Sequence, residues 1–458
     1  MVTNRELGLF RLTWPILLEN LLFMLMSSAD TLMLSGVSDE AVSAVGVASQ
    51  FIFIAVLIIG VINNGADVVV SQYLGSGRRV EASKIAALTV TMNLLAGIAL
   101  SLLFVALTEP LMRAMNLEGK TLDMAVSYLH IVGGWIFFQA VINALSGIIR
   151  TYGYPKEAMF VSLGMNVVHI VLNYVLIFGA AGLPALGVDG AALSTVISRG
   201  TAAVVFFWMM YRIVDVRIGL KDYVTFVKEY MEKIFKIGIP TALEQVLYHA
   251  CQSVFLYYAT FLGETALASR QYAMNISSYV FLFSVACGTG TAILVGRLVG
   301  AGRKEDAYRR VWASARWCLL ITVAIDLVVI FFRHPLVGLF TDDPAIGKLT
   351  AQMMTLSIVL ETGRSLNLLL VPALRASGDA KYPVYWGVVS MVCMSLPLGY
   401  LFVFVLDMGL AGVWLAIAAD EWTRGIIMFF RWRSRAWENK ALVGAAAASR
   451  PGAAAEAG

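Results

Sequence analysis

The sequence predicts an all-α polytopic membrane protein with twelve transmembrane helices. They are expected as two six-helix lobes related by a pseudo-twofold axis along the membrane normal. Two observations carry this. Of the 458 residues, 59% are hydrophobic and only 14% charged, with a mean hydropathy of +0.78. That is more apolar surface than a soluble core can bury. The chain also repeats itself at one constant offset. Pro15 and Glu19 recur 225 residues later as Pro240 and Glu244, and Gly75, Gly77 and Arg78 recur as Gly300, Gly302 and Arg303. Pro110-Leu111 recurs as Pro335-Leu336, and Arg150, Gly153 and Lys156 as Arg375, Gly378 and Lys381. A duplicated membrane domain with the substrate site between its halves is a common transporter design.

Apolar runs of about 20 residues each can span a bilayer. In the first half they lie near 12–34, 43–74, 85–107, 122–149, 157–179 and 189–211. The second set lies near 238–261, 267–299, 311–332, 350–373, 383–406 and 411–430. The first run has no small-residue cleavage site before the second, so it reads as a retained helix and not a secretory signal. Residues 1–211 are expected to form the N-lobe and 238–435 the C-lobe. Between them, 212–237 is expected as an amphipathic connector on the cytoplasmic membrane surface. There Val224, Val227, Met231, Ile234 and Phe235 recur at helical spacing with lysines between them. Residues 436–458, which run into small and featureless sequence, are expected to be a disordered cytoplasmic tail. Six spans per repeat, an even number, give both halves one orientation.

Charge placement fixes the expected orientation. Arg78, Arg79, Lys84, Arg150, Lys156, Arg303, Lys304, Arg375, Lys381, Arg431 and Arg433 share one side with the basic connector. The opposite loops carry Asp39, Glu40, Glu109, Glu118, Glu264, Asp342 and Asp343. The positive-inside rule puts the basic side and both termini in the cytoplasm, with the chain in a cell (inner or plasma) membrane. The bases are spread over many short loops, which excludes a nucleic-acid face. The four cysteines (Cys251, Cys287, Cys318 and Cys393) sit inside spans without metal or disulfide spacing and read as apolar filler. No HExxH, GxSxG on a span or usable aspartate pair indicates an enzyme. The repeated "GSGR" and "GAGR" read as helix-ending turns, since no Lys-Ser/Thr follows them as in a phosphate loop.

The stretches "ADTLMLSGVSDEAVSAVG", "SQYLGSGRR", "IVLNYVLIFG", "GVDGAALSTVISR", "LRASGDAKYPV" and "GLAGVWLA" occur in order across residues 7–435. With the six-plus-six repeat, they make the chain resemble the multidrug and toxic compound extrusion (MATE) family. The resemblance implies an antiporter that expels small organic compounds, often cationic and amphipathic, driven by inward H+ or Na+ flow. It implies no cofactor beyond that coupling ion. The partners expected are small-molecule substrates and the lipid bilayer, with no nucleic acid, and the chain is expected to act as a monomer. A related alternative is a flippase of lipid-linked precursors of the polysaccharide and peptidoglycan class. Such flippases tend to have more spans and an arginine-rich cavity.

An ionisable side chain near mid-bilayer costs about 2.5–3.5 kcal/mol on insertion scales and needs a partner, water or a role. Asp30, Asn173 and Thr195 fall in one band of depth, roughly 6–11 Å below the outer surface at ~1.5 Å per residue. His169 lies one turn deeper, on the face of Asn173. A carboxylate, an amide oxygen and a hydroxyl suit a proton or a hard monovalent cation. The resemblance places the N-lobe cation site at these positions, with Asp30 matching the family's span-one aspartate and Thr195 its span-six threonine. Asn173 stands where some members have Asp, and His169 where many have Asn. These departures favour a proton over Na+, with His169 as a sensor. Beyond possible Na+ at Asp30, no metal is expected. The bland alternative is a structural hydrogen bond between Asp30 and Asn173 beside a satisfied core histidine. In the second half Phe255 takes the place of Asp30, and Gly399 lies in the stretch equivalent to Asn173.

The C-lobe has its own polar set: Glu361, Arg364 and Asn367 in span ten, and Tyr248 and Gln252 in span seven. These are the expected substrate-cavity residues. Glu361–Arg364 is expected as a structural ion pair lining that cavity. Tyr248 and Arg364 stand where sodium-coupled members have acidic residues. Arg199 and Glu421 are expected as helix-packing ion pairs, the latter with Arg424 one turn away. Asp67 and Asp326 require partners that the sequence does not name.

Overall fold

The computed structural model describes residues 8–213 and 218–443. Arg217 of the connector and residues 444–458 of the expected tail therefore lie outside the described residues. The chain begins with α1 (Leu9–Ser35), α2 (Asp39–Gly75) and α3 (Arg79–Ala114). Then α4 (Gly119–Gly134) and α5 (Phe137–Thr151) form one span bent by 46°. α6 (Pro155–Phe178) and α7 (Val188–Ile213) complete the first half, and α8 (Leu220–Val224) is a short helix in the connector. α9 (Lys228–Thr260), α10 (Glu264–Gly300), α11 (Lys304–Phe331) and α12 (Arg333–Gly338) follow. The last helices are α13 (Pro344–Ala376), α14 (Lys381–Ser390), α15 (Leu396–Tyr400) and α16 (Gly409–Arg433).

Nine helices among the described residues are long and apolar enough to cross a membrane, and the bent α4–α5 pair makes ten. The other two expected spans correspond to α9 and α16. Both are long enough, but they carry the polar groups Glu244, Gln245 and His249, and Asp420, Glu421 and Arg424. Leu32, Val204, Trp208 and Phe331 point outward from their helices, as expected of side chains whose solvent is hydrocarbon and not water. π-helical turns flank α15, at Met391–Ser395 and Leu401–Val405. Pro397 lies between them and has no amide to offer the carbonyl of Cys393, so the regular ladder is interrupted there.

The contacts divide the chain into two compact units. Unit one is the chain up to Asp67 together with Ser83–Val246, and unit two is Val68–Ala82 together with the chain from Leu247. In unit one α6 packs between α1 and α7, and α4 and α5 pack on α7. The first turns of α9 belong here because α2 and α9 approach to backbone contact. A Cβ on Gly238 would overlap the carbonyl of Val61, and one on Gly65 that of Ile234. In unit two α13 is central, packed by α10, α11 and α16. The last turns of α2 join this unit through a reciprocal crossing with α10. A Cβ on Gly75 would overlap the carbonyl of Arg297, and one on Gly300 that of Gln72. The two glycines, and the two carbonyls they meet, are each separated by the 225-residue repeat offset. The repeated glycine of "GSGR" and "GAGR" is thus required by close packing across a local twofold.

Two expectations need correction. The connector is not one amphipathic helix: α8 ends at Val224, Thr225 is extended, and Met231, Ile234 and Phe235 already belong to α9. Asp222 caps the short α8 by accepting from the amide of Gly219 at 2.8 Å. Residues 436–443 of the expected disordered tail are packed. Trp437 is fully buried and stacks on Trp432 with ring centroids 4.1 Å apart. The amide of Leu442 donates to Gln72 Oε1 at 2.8 Å, while Gln72 Nε2 donates to the carbonyl of Ala376 at 2.7 Å. Composition missed this strap because its anchors are one tryptophan and two apolar residues in an otherwise polar stretch.

Candidate functional site

In unit one α1 and α7 flank α6, so Asp30 of α1 faces the His169–Asn173 edge of α6. His169 Nε2 lies 2.6 Å from Asp30 Oδ1, and Asn173 Nδ2 donates to the same oxygen at 2.5 Å. His169 and Asn173 are fully buried, while Asp30 keeps a sliver of exposed surface. α7 supplies the outer shell. Ser194 Oγ donates to Asn173 Oδ1, which orients the amide so that its NH2 faces Asp30. Ser198 Oγ donates to the carbonyl of Thr195 at 3.0 Å and lies 3.4 Å from His169 Nδ1. Asn173 Nδ2 also lies 3.1 Å from His169 Nε2, and the tautomer of the imidazole sets which of its nitrogens donates.

Thr195 does not reach Asp30. Its hydroxyl bonds the carbonyl of Ala191 at 2.9 Å and the phenol of Tyr128. Tyr128 in turn lies within electrostatic reach of Asp30 and Arg199. Arg199 therefore departs from the expected helix-packing ion pair, and its charge is felt by Tyr128 and Asp30. Tyr128, Ser194 and Ser198 were not anticipated. A signal for the serines was present: Ser194 and Ser198 share the i, i+4 spacing of His169 and Asn173 on the neighbouring helix.

Asp67 finds its partner in the same unit. It lies against Gly147, whose missing side chain makes room for the carboxylate, within electrostatic reach of Arg150 and Glu19. Glu19 is fully buried, paired with Arg150 at 2.8 Å and bonded by Ser146 at 2.6 Å and Ser162 at 3.3 Å.

Unit two collects the polar set of α13 into a buried network with α16. Arg364 Nη1 pairs with Glu361 Oε1 at 2.6 Å, and its Nε reaches Glu421 Oε1 at 3.5 Å. Asn367 Nδ2 donates to Glu421 Oε2 at 2.9 Å. Arg424 bridges Glu421 at 3.2 Å and Asp420 at 2.9 Å, and Ser390 donates to Asp420 at 2.5 Å. Glu361, Arg364 and Asn367 are thus buried in a helix interface, with Glu361 and Arg364 joined in the ion pair expected of them. Tyr248 and Gln252 are half-buried. Gln252 Nε2 donates to the Tyr248 hydroxyl at 3.1 Å, and Arg270 Nη2 donates to Gln252 Oε1 at 3.4 Å. Asp420 was not anticipated. Phe255 and Gly399, at the places equivalent to Asp30 and its α6 partners, pack directly, and a Cβ on Gly399 would overlap the Phe255 ring. Among the described residues no three His, Cys, Asp or Glu side chains converge as metal ligands.

Long apolar helices, a twofold repeat and carboxylates buried between spans define a polytopic membrane transporter. The family model MatE matches the chain twice, at residues 15–175 and 240–401. The chain belongs to the MatE family, the multidrug and toxic compound extrusion transporters. The two matches begin 225 residues apart, the interval of the internal repeat. The chain is 40% identical, over 96% of each chain, to an uncharacterized transporter, YisQ, of Bacillus subtilis (strain 168). It is 26% identical to a probable multidrug resistance protein, NorM, of Thermotoga maritima, covering 95% of this chain and 94% of the relative. Its fold matches a MATE protein crystallised in a bent conformation with a TM-score of 0.87 at 20% identity, covering 93% and 94% of the two chains. A transporter of the MOP superfamily from Pyrococcus furiosus, described as having a binding pocket of reversed polarity, matches with a TM-score of 0.85 at 20% identity, covering 93% and 95%.

Proposed function

We propose that this protein is a proton-driven antiporter that exports small amphipathic organic compounds, many of them cationic, from the cytoplasm across the cell membrane. The observation that carries the reading is the buried His169 Nε2 within 2.6 Å of Asp30 Oδ1. An imidazole nitrogen bearing hydrogen on that oxygen suits a titrating pair better than a bound Na+, which needs the oxygen's lone pairs. The names of relatives such as NorM support the multidrug substrate class, and the placement of basic loops supports cytoplasmic termini. The coupling ion is the only cofactor in this reading, and the chain works as a monomer.

In this mechanism the outer side of unit one loads a proton at Asp30–His169. Removing net charge from the pair weakens its hold on Asn173 and, through Tyr128, on Arg199. α1 then repacks, and the transporter releases substrate outward. Return to the inward-facing state gives the proton to the cytoplasm. Tyr248 and Gln252, the partly exposed polar groups of α9, contact substrate.

The test is drug transport in proteoliposomes with pH and Na+ gradients imposed separately. A pH gradient alone should drive export, and Asp30→Asn should abolish the response while the protein remains folded in the bilayer. Export by Asp30→Asn at the wild-type rate, or export driven by Na+ alone, would overturn the proposal.

A further inference from the structure

Unit two has three buried arginines among the described residues: Arg270, Arg364 and Arg424. Arg364 bridges Glu361 and Glu421, and Arg424 bridges Asp420 and Glu421. Arg270 of α10 differs. It is 7% exposed, and among the described residues no carboxylate pairs with it. One turn away on its own helix stand Ala266, Leu267, Ala273 and Met274, none of them acidic. Arg270 Nη2 donates to Gln252 Oε1 of α9 at 3.4 Å, a long bond to a neutral oxygen. Its Nε is buried without a hydrogen-bond partner.

Arg270 lies six residues after Glu264, about 9 Å inside that end of α10. A guanidinium does not shed its proton in a protein, so burial cannot neutralise it. A charge held within a span has a partner, water or a role, and here the fold supplies only the Gln252 amide. Gln252 is itself half-buried and donates to the Tyr248 hydroxyl at 3.1 Å, one turn away on α9. The Arg424 guanidinium lies 5.9 Å from the centroid of the Tyr248 ring, but its charge is already met by Asp420 and Glu421. Beside the partly open Tyr248–Gln252 face, the unmet charge is therefore that of Arg270.

We propose that Arg270 receives a carboxylate of the exported compound. The transporter then selects amphipathic compounds that bear a free carboxylate, zwitterions included, over cations of the same shape that lack one. This deepens the functional reading above and rests on it, since it takes Tyr248 and Gln252 as substrate contacts. Nε and Nη2 form one edge of the guanidinium, the edge that binds a carboxylate through two parallel hydrogen bonds. One carboxylate oxygen replaces Gln252 Oε1 on Nη2, and the other gives Nε the acceptor it lacks. Gln252 thus holds the place of the ligand in the empty site.

Equilibrium binding of two dyes to the purified full-length protein in nanodiscs tests this, with empty nanodiscs as the blank and no gradient imposed. Rhodamine B carries a free carboxylate beside its cationic xanthene, and its ethyl ester keeps the scaffold without that negative charge. The wild type should bind rhodamine B about tenfold more tightly than the ester. Arg270→Gln should bring the ratio of the two dissociation constants close to unity, and Arg270→Lys should keep part of the preference. Arg270→Gln should also unfold at no lower temperature than wild type, because it removes a buried charge that no carboxylate neutralises. An unchanged ratio in Arg270→Gln, or a wild type that binds both dyes equally, would overturn the carboxylate site and leave the antiporter reading standing. So would lower thermal stability with the ratio unchanged, the mark of an arginine that only braces α10. A wild type that binds neither dye would sink the multidrug reading and this proposal together.

Discussion

In unit one Asp30 of α1 meets His169 and Asn173 of α6. In unit two the equivalent place holds Phe255, whose ring packs against Gly399 beside the ring of Tyr258. The duplicated backbone is preserved to the level of the paired Gly75 and Gly300 crossings, yet the chemistry is not. Unit two moves its charges to the α13–α16 interface, where Arg364 and Arg424 tie three carboxylates. The difference teaches that one helical frame can host a carboxylate–histidine contact with slight access to solvent in one copy and a sealed ion network in the other. The reason is local: neutral side chains such as Asn173 and Ser194 surround Asp30, whereas guanidiniums that each bridge two carboxylates fix those of unit two.

The sharpest test of that contrast is to break each cluster in turn. Asp30→Asn should eliminate gradient-driven transport with little change in thermal unfolding, because the amide keeps the shape and the partners stay satisfied. Arg364→Met should do the reverse. It strands Glu361 and takes one of three partners from Glu421, and should destabilise the protein by about 3–5 kcal/mol, measured by unfolding in detergent at pH 7. Comparable unfolding for the two variants would erase the distinction drawn here. Trp437→Ala should cost about 3–5 kcal/mol on the same scale by emptying its buried stack on Trp432. A change near zero would mean that the C-terminal strap is not part of the folded unit.

Smaller effects refine the comparison. Gly399→Ala should cost about 1–3 kcal/mol, because the new methyl must displace the Phe255 ring. Gly399→Ala combined with Phe255→Leu should recover part of that loss, and an additive penalty would show that the two sites do not touch. The smallest expected effect lies at the start of α11, where Glu305 is held below the usual carboxylate range by hydrogen bonds from Arg435 and Arg309. A lowered folded value means that its contribution is complete above the ordinary carboxyl range and is lost as pH falls through the lowered value. Below pH about 4, wild type should therefore lose slightly more thermal stability than Glu305→Gln, and only at low salt. Parallel pH profiles for the two proteins would remove the pair from the account.

Much of the fold was legible because its causes are local in the chain. Apolar run length placed the spans, and the constant offset between Pro15 and Pro240 announced the repeat. The cost of a charge in hydrocarbon singled out Asp30, Asp67, Asp326, Glu361 and Glu421 before any partner was visible. The connector was misread because alternating apolar and basic residues at 224–235 fit a surface helix as well as they fit the start of α9. Close backbone packing of Gly238 on Val61 decides between them.

What the sequence by itself determined is depth: hydropathy and rise per residue put Asp30, Asn173 and Thr195 in one band of the membrane, with His169 one turn deeper. What only the tertiary structure decided is azimuth. Each residue turns a helix face by about 100°, and on helices that are apolar nearly all round no stripe fixes which face meets which neighbour. Rotation about those axes gave Asp30 its histidine, Asp67 the charge of Arg150 and Arg424 the unforeseen Asp420. The same rotation left Thr195 with Tyr128 in place of Asp30. Such pairings depend on residues far apart in the chain and on how each helix is turned, which no local pattern records.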